Sequence, residues 1–223
     1  MGPSTDLVPK DLVMPLLTIK SEGEVEIEVR RSRFLCAVAR AADDAEAQAF
    51  LARRRALHPS ARHNCSAWIA GGQEKGYDDG EPSGTAGAPM LQVLRRRELT
   101  ETVAVVTRYF GGIMLGAGGL IRAYGSAVTE AVDTVGVVEL RPMLVLTVDV
   151  DHAHAGRLEN DLRGLGHEVR DIRYGAEVAI DVCVPEPDRE RFTARLTDLT
   201  GGRASARETG RTFVEVDASR NTS

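Results

Sequence analysis

The stretch Arg141-Pro142-Met143-Leu144-Val145-Leu146-Thr147-Val148-Asp149-Val150 decides the fold of the second half of the chain. Leu144, Leu146, Val148 and Val150 recur at every second position, the period of a strand with one buried face. Downstream, Leu158, Leu162 and Leu165 take helical spacing. A strand follows over 167–173, then another through Val178, Ile180, Val182 and Val184. Phe192, Leu196 and Leu199 mark a second helix, and 212–216 a last strand. Gly164 and Gly166 punctuate the end of the first helix and Gly201-Gly202 the end of the second. Strand–helix–strand–strand–helix–strand is the ferredoxin-like order.

Working back from Arg141, the first half reads as a different α+β domain. Val25, Ile27 and Val29 alternate with charged residues, and 34–39 continues as an apolar strand. Asp43 or Asp44 caps a helix to about Leu57, with Ala45, Ala49, Ala52 and Ala56 at near-helical spacing. His58-Pro59 ends it, since a residue before proline avoids the α region. A strand over 61–70 leads into a loop from Gly71 to Gly87, long enough to suggest a functional segment. Pro89 opens a short helix, and 102–110 is a strongly apolar strand. After a glycine cluster, Leu120, Ile121, Tyr124, Ala127, Val128, Ala131, Val132 and Val135 form one amphipathic stripe. The expected division is a tail at 1–16, an N-terminal domain at 17–140, a ferredoxin-like domain at 141–217 and a tail at 218–223.

The composition narrows the function. The 223 residues carry 28 basic and 33 acidic side chains, a net charge of −5, so a strongly basic nucleic-acid binder is excluded while a local basic face is not. Hydrophobic residues at 43% and charged residues at 27% fit a globular chain with a full core and exclude wholesale disorder. Cys36, Cys65 and Cys183 are too few for a disulfide framework and contain no C-x-x-C, which points to a reducing, cytoplasmic setting. The apolar run 12–19 contains Pro15 and is too short for a membrane span or signal peptide.

Three segments have residue types suited to chemistry: 58–65 (HPSARHNC), 77–87 (YDDGEPSGTAG) and 108–120 (RYFGGIMLGAGGL). Gly111 and Gly116 have phosphate-loop spacing, but Ala117-Gly118 replace the required lysine and hydroxyl, and Ile121 blocks a dinucleotide fingerprint. His63 and Cys65 share a strand face, with Asp78, Asp79 and Glu81 as further donors, yet their spacing matches no zinc site. No bound metal and no cofactor are expected. His63 with Cys65 or Ser83 and an aspartate is a formal triad set, but no nucleophile elbow exists. That enzymatic reading, built on the Asp78–Gly87 loop and His63, is the alternative.

The favoured reading is anion binding. Gly111, Gly112, Gly116, Gly118 and Gly119 let a phosphate approach the main chain, and a helix start adds partial positive charge. Arg62, Arg108 and Arg122 offer bidentate contacts. His63, Asp78, Asp79, Glu81, Ser83, Thr85 and Tyr109 complete the candidate set. In the competing structural reading, the arginines pair with Asp78, Asp79 or Glu81 and hold the long loop.

Taken together, Arg31-Ser32-Arg33-Phe34, the H-P-x-A-R-H-x-C at 58–65, the D-D-G-E-P-S-G-T-A-G at 78–87 and the R-Y-F-G-G-I-x-L-G-x-G-G-L at 108–120 resemble the IMPACT family, in its bacterial two-domain YigZ-like form. The resemblance spans about residues 17–215. It implies a two-layer β–α N-terminal domain similar to a ribosomal protein and to the fourth domain of the translocating elongation factor, followed by a ferredoxin-like domain. It also implies a non-enzymatic role in translation control, with RNA, the ribosome or translation factors as partners and no membrane. No catalytic residues carry over. A regulator acting through protein partners alone is a third reading.

Overall fold

A computed structural model describes residues 15–218. The expected tails at 1–16 and 218–223 lie outside these residues except for Pro15, Leu16 and Ala218. Leu16 already belongs to a strand. Contacts divide the chain into two units, Leu16–Glu139 and Leu140–Val216.

The first unit contains β1 (Leu16–Ile19), β2 (Gly23–Val29), β3 (Ser32–Arg40), α1 (Asp44–Leu57), β4 (His63–Ala70), β5 (Gln73–Tyr77), α2 (Gly87–Arg96), β6 (Thr102–Tyr109) and α3 (Gly116–Val135). Strands β2–β6 form an antiparallel sheet in the order β2-β3-β6-β4-β5. Its central strands are apolar on both faces, as strands buried on both sides must be. Phe34, Cys36, Val38, Cys65, Ala67, Ala104 and Val106 pack against Met90 and Leu94 of α2 and Leu120, Tyr124, Ala127 and Val128 of α3. Ala37, Ala39, Trp68, Val103 and Val105 pack on the other side against Ala47, Phe50 and Leu51 of α1. The Phe34 and Tyr124 rings meet edge to face at 5.2 Å, and both are fully buried, worth about 1.5–3 kcal/mol each in burial alone.

Several local expectations are corrected. The loop expected over Gly71–Gly87 contains β5. Gly71 and Gly72, at φ +56° and +71°, make the two-residue turn that pairs Ala70 with Gln73. On α1, Ala45, Ala49, Ala52 and Ala56 face solvent, because Ala47, Phe50, Leu51 and Arg54 reach the sheet instead. Ile121 is also exposed, rotated around α3 from the stripe that is buried.

The second unit contains α4 (His152–Gly164), β8 (Glu168–Tyr174), β9 (Val178–Val184), α5 (Arg189–Thr200) and β10 (Ala206–Asp217), entered through β7 (Val137–Val150). The strand expected from Leu144 thus starts seven residues earlier, and β7 runs through the boundary between the units. The sheet has five strands, with β7 pairing both β1 and β10, and within it the order β10-β7-β9-β8 is that of a ferredoxin-like sheet. Leu144, Leu146, Val148, Ile180 and Val182 pack with Leu158 and Leu162 of α4 and Phe192 and Leu196 of α5. The chain is a mixed α/β protein with two sheets and five α-helices among the described residues.

Candidate functional site

The three sequence segments meet at one end of the first sheet. β4 and β6 are neighbours with His63 opposite Arg108, so the segments that begin and end there are adjacent by strand register. A cleft of about 520 Å³ opens at this end, lined by Arg62, His63, Glu81, Pro82, Arg108, Phe110, Met114, Leu115, Gly116, Ala117 and Leu120.

At its base, Arg108 Nη1 donates to Glu81 Oε1 at 2.7 Å, and the Tyr124 hydroxyl donates to the same oxygen at 2.7 Å. The Arg108–Glu81 side chains are 7% and 4% exposed. Arg108 Nη2 reaches Ser32 Oγ at 3.4 Å, and that hydroxyl oxygen accepts from Gly111 N at 3.1 Å. The guanidinium carbon stands 5.4 Å from the Phe34 ring centre and 5.6 Å from that of Phe110. Cys65 Sγ contacts the Tyr124 hydroxyl at 3.3 Å and the Asp78 carbonyl at 2.9 Å, and burial pushes its thiol up to about 12.

The 78–87 loop is held by its aspartates. Asp78 accepts from Gly84 N at 2.8 Å, Ala86 N at 3.0 Å and Gly87 N at 2.9 Å, which caps the start of α2. Burial alone raises its pKa, but these three N–H donors outweigh that and leave the carboxyl below its usual range. Asp79 accepts from Asn64 N and from Arg55 Nη2, each at 2.7 Å. His63 Nδ1 lies 3.0 Å from the Asp79 carbonyl; the carbonyl only accepts, so the hydrogen is on Nδ1. Thr85 is buried and donates to the Pro82 carbonyl at 2.6 Å, while Ser83 is exposed. Tyr109 sits apart from this network, its hydroxyl sharing a hydrogen bond with His58 Nδ1 at 3.0 Å.

The glycines divide by role. A side chain at Gly111 would place Cβ 2.0 Å from the Arg31 carbonyl carbon, so that glycine is needed for close packing. Gly112 and Gly116, at φ +85° and +69°, stand in open space and shape the loop. Gly118 and Gly119 lie in the first turn of α3, which has no side-chain cap and begins at the cleft wall.

The structure spreads the candidate set over several surroundings. Arg108 is committed to Glu81, as the structural reading expected. Arg122 lines a separate hollow with Arg30, Leu115 and Gly119, whereas Arg62 lines the cleft. Asp78 and Asp79 hold backbone rather than facing a ligand. Among the described residues no three His, Cys, Asp or Glu side chains come together as metal donors. Tyr124, read as part of the apolar stripe, was missed as a polar partner; a buried tyrosine hydroxyl needs an acceptor, which was the available signal. Ser32 was missed as the link between Arg108 and the Gly111 turn.

Residues 30–132 match the Impact N-terminal domain, and 148–203 match a domain of unknown function, DUF1949. The chain is 44% identical over 201 residues to the IMPACT family member YvyE of Bacillus subtilis, covering 89% of this chain and 93% of that protein. The chain belongs to the IMPACT family. YigZ of Escherichia coli, another IMPACT family member, is 38% identical over 180 residues, covering 78% of this chain and 88% of that one. A solved structure titled as that of a hypothetical protein aligns with TM-score 0.58 at 34% identity, over 89% of this chain and 98% of that one.

Most arginines of the first unit are ion-paired: Arg33 with Glu26, Arg53 with Glu22, Arg54 with Glu24, Arg55 with Asp79, Arg95 with Glu74, Arg97 with Asp133 and Arg108 with Glu81. Arg30, Arg31, Arg62, Arg96 and Arg122 are exposed and have no carboxylate partner among the described residues. All but Arg96, which ends α2, border the 110–119 loop. Arg30 Nη1 reaches the Met114 carbonyl at 3.5 Å, the Arg31 backbone lies against Gly111, and Arg62 and Arg122 line the hollows on either side. The same loop exposes Phe110, Ile113 and Met114.

Proposed function

We propose that this protein binds single-stranded RNA of the translation machinery through the 110–119 loop and the end of the sheet around it, as a cytoplasmic regulator and not as a catalyst. The observation that carries this reading is the partition of arginines. Four exposed arginines without carboxylate partners border one glycine-rich loop that also exposes an aromatic ring, while seven others of the same unit are ion-paired and Arg96 stands apart at the end of α2. Unpaired arginines beside a stacking surface are the elements of sequence-tolerant single-strand binding. Because the whole chain carries −5, the attraction is local and steeply salt-dependent.

The choice against catalysis is supported by what the triad candidates are doing. Asp78 spends its oxygens on three backbone N–H groups, and the Cys65 thiol, pushed up to about 12, is protonated at neutral pH. Nothing holds either one ready as base or nucleophile.

Titration of short single-stranded RNAs at two salt concentrations tests the proposal. The expected slope of log affinity against log salt is near about −0.7 per phosphate neutralised. Arg62→Ala and Arg122→Ala should each weaken binding and make that slope shallower. Absence of binding at low salt, or unchanged affinity in the double variant, overturns the reading.

A further inference from the structure

The 520 Å³ cleft between Arg62, Phe110 and the start of α3 is of a size that holds a small ligand, and its base has one open hydrogen-bonding position. Glu81 Oε1 is saturated by Arg108 and Tyr124. Glu81 Oε2 has no partner among the described residues, yet the side chain is 96% buried and lines the cleft. Oε2 is not one of the buried polar atoms without a partner, of which Arg108 Nε is the one at this base, so it keeps contact with solvent in the cleft and is an acceptor open to a ligand there. The donor that fits best is neutral. Arg108 already balances the Glu81 charge, and a second cation brought beside it meets the guanidinium's repulsion.

The walls specify the rest of the ligand. Phe110 is 57% exposed, with the Arg108 guanidinium 5.6 Å from its centre, and it offers a free surface for a planar group. Met114, Leu115, Leu120 and Pro82 supply apolar contact. At the rim, the unpaired Arg62 and the uncapped first turn of α3 at Gly116 and Ala117 favour a negative charge. A planar body with a neutral N–H donor at one end and an anion at the other is a nucleotide.

We infer that this cleft takes a single unstacked nucleotide whose base carries an exocyclic amino group, with the amino group on Glu81, the base against Phe110 and the phosphate at Arg62 and the start of α3. This rests on the RNA reading above and adds a base preference to it. Cytosine presents its amino donor to a carboxylate. Uracil presents carbonyl oxygens on either side of its N3–H, and these repel Oε2. Single-strand recognition of this type, by stacking plus contacts to the Watson–Crick edge, is common among RNA-binding domains.

The test uses the full chain with oligocytidylate and oligouridylate of equal length, and with cytidine and uridine 5′-monophosphates followed by NMR. Oligocytidylate should bind tighter than oligouridylate, on the order of tenfold. Cytidine monophosphate should shift the resonances of Phe110 and Leu120. Phe110→Ala, at an exposed position, should weaken both oligonucleotides. Glu81→Gln supplies the sharpest check: its amide oxygen can keep Arg108 and Tyr124, while its NH2 replaces Oε2 as a donor, so the preference should invert toward uracil. Equal binding of the two oligonucleotides overturns the inference and leaves the RNA reading standing. If oligonucleotides fail to bind but cytidine monophosphate outcompetes uridine monophosphate at the cleft, the RNA reading falls and the nucleotide site stands. If neither binds, both fall.

Discussion

Arg108 and Glu81, 27 residues apart in the chain, meet in an ion pair of 2.7 Å at the base of the cleft, beside Phe34 and Tyr124. The pair ties the end of β6 to the 78–87 loop, and Ser32 extends it to the turn at Gly111. Two sequence segments that resemble binding loops are thus joined by a contact that neither segment shows by itself.

Removing one partner should be worse than removing both. Arg108→Ala or Glu81→Ala leaves a buried charge uncompensated, at a cost of about 3–5 kcal/mol. Replacing the two together by apolar residues of similar volume, Arg108→Met with Glu81→Leu, should cost much less than the sum of the single changes. Urea denaturation followed by the fluorescence of buried Trp68 measures this. An Arg108→Ala variant within about 1 kcal/mol of wild type would show the pair to be as weak as a surface bridge.

The cysteines should be silent in the folded protein. Burial pushes Cys65 up to about 12 and Cys183 up to about 11, and it raises Cys36 as well. The thiolate is the reactive form. Iodoacetamide at pH 8 should therefore leave all three unmodified by mass spectrometry until denaturant unfolds the chain. Rapid native labelling of Cys65 would reopen the nucleophile reading.

The two glycines flanking the start of α3 should respond in opposite directions to alanine. At Gly111 the new Cβ would sit 2.0 Å from the Arg31 backbone, so Gly111→Ala must displace the loop and should cost about 1–3 kcal/mol. At Gly118 the nearest neighbour is Arg122 Nη1 at 3.7 Å, and the residue is helical. Gly118→Ala should stabilise by about 0.5–1 kcal/mol through helix propensity. Thermal unfolding of the two variants checks both signs, and a neutral Gly111→Ala would contradict the close packing.

Much of this was legible in the chain itself because it follows from local pattern. Alternation at Leu144–Val150 and at Val25–Val29 identified strands, and the stripe from Leu120 to Val135 identified α3. What escaped depended on tertiary context. β5 (QEKGY) is an edge strand with mostly exposed side chains, so no apolar alternation marks it. Alanines 45, 49, 52 and 56 mimic a buried face, but the bulkier Phe50 and Leu51 gain more from burial and set the rotation of α1. At the site, convergence of the three segments was legible from the short, regular elements between them, and the β4–β6 register is what realises it. Which arginines are free depends on where carboxylates land in space, and sequence proximity misleads there: Arg108 lies among binding-type residues yet is structural.

The final prediction concerns Asp78 and pH. Its carboxylate accepts from the backbone of Gly84, Ala86 and Gly87, so it both closes the 78–87 loop and caps α2. Asp78→Ala removes all three bonds and should cost about 1–2 kcal/mol at pH 7, the upper range for a lost cap. The folded-state pKa is lowered because the N–H donors favour the ionised form over the opposing effect of burial. Protons therefore bind the unfolded state more readily than the folded one. The stabilisation is fully present above the unfolded value, near about 3.9, and is lost as pH falls through the lower folded value. The difference in unfolding free energy between wild type and Asp78→Ala should stay constant from pH 7 to about 5 and shrink below about 4. Denaturation curves for both proteins across that interval provide the measurement. A difference that is unchanged at pH 3, or one that grows as pH falls, would show that the carboxylate charge is not what holds the loop.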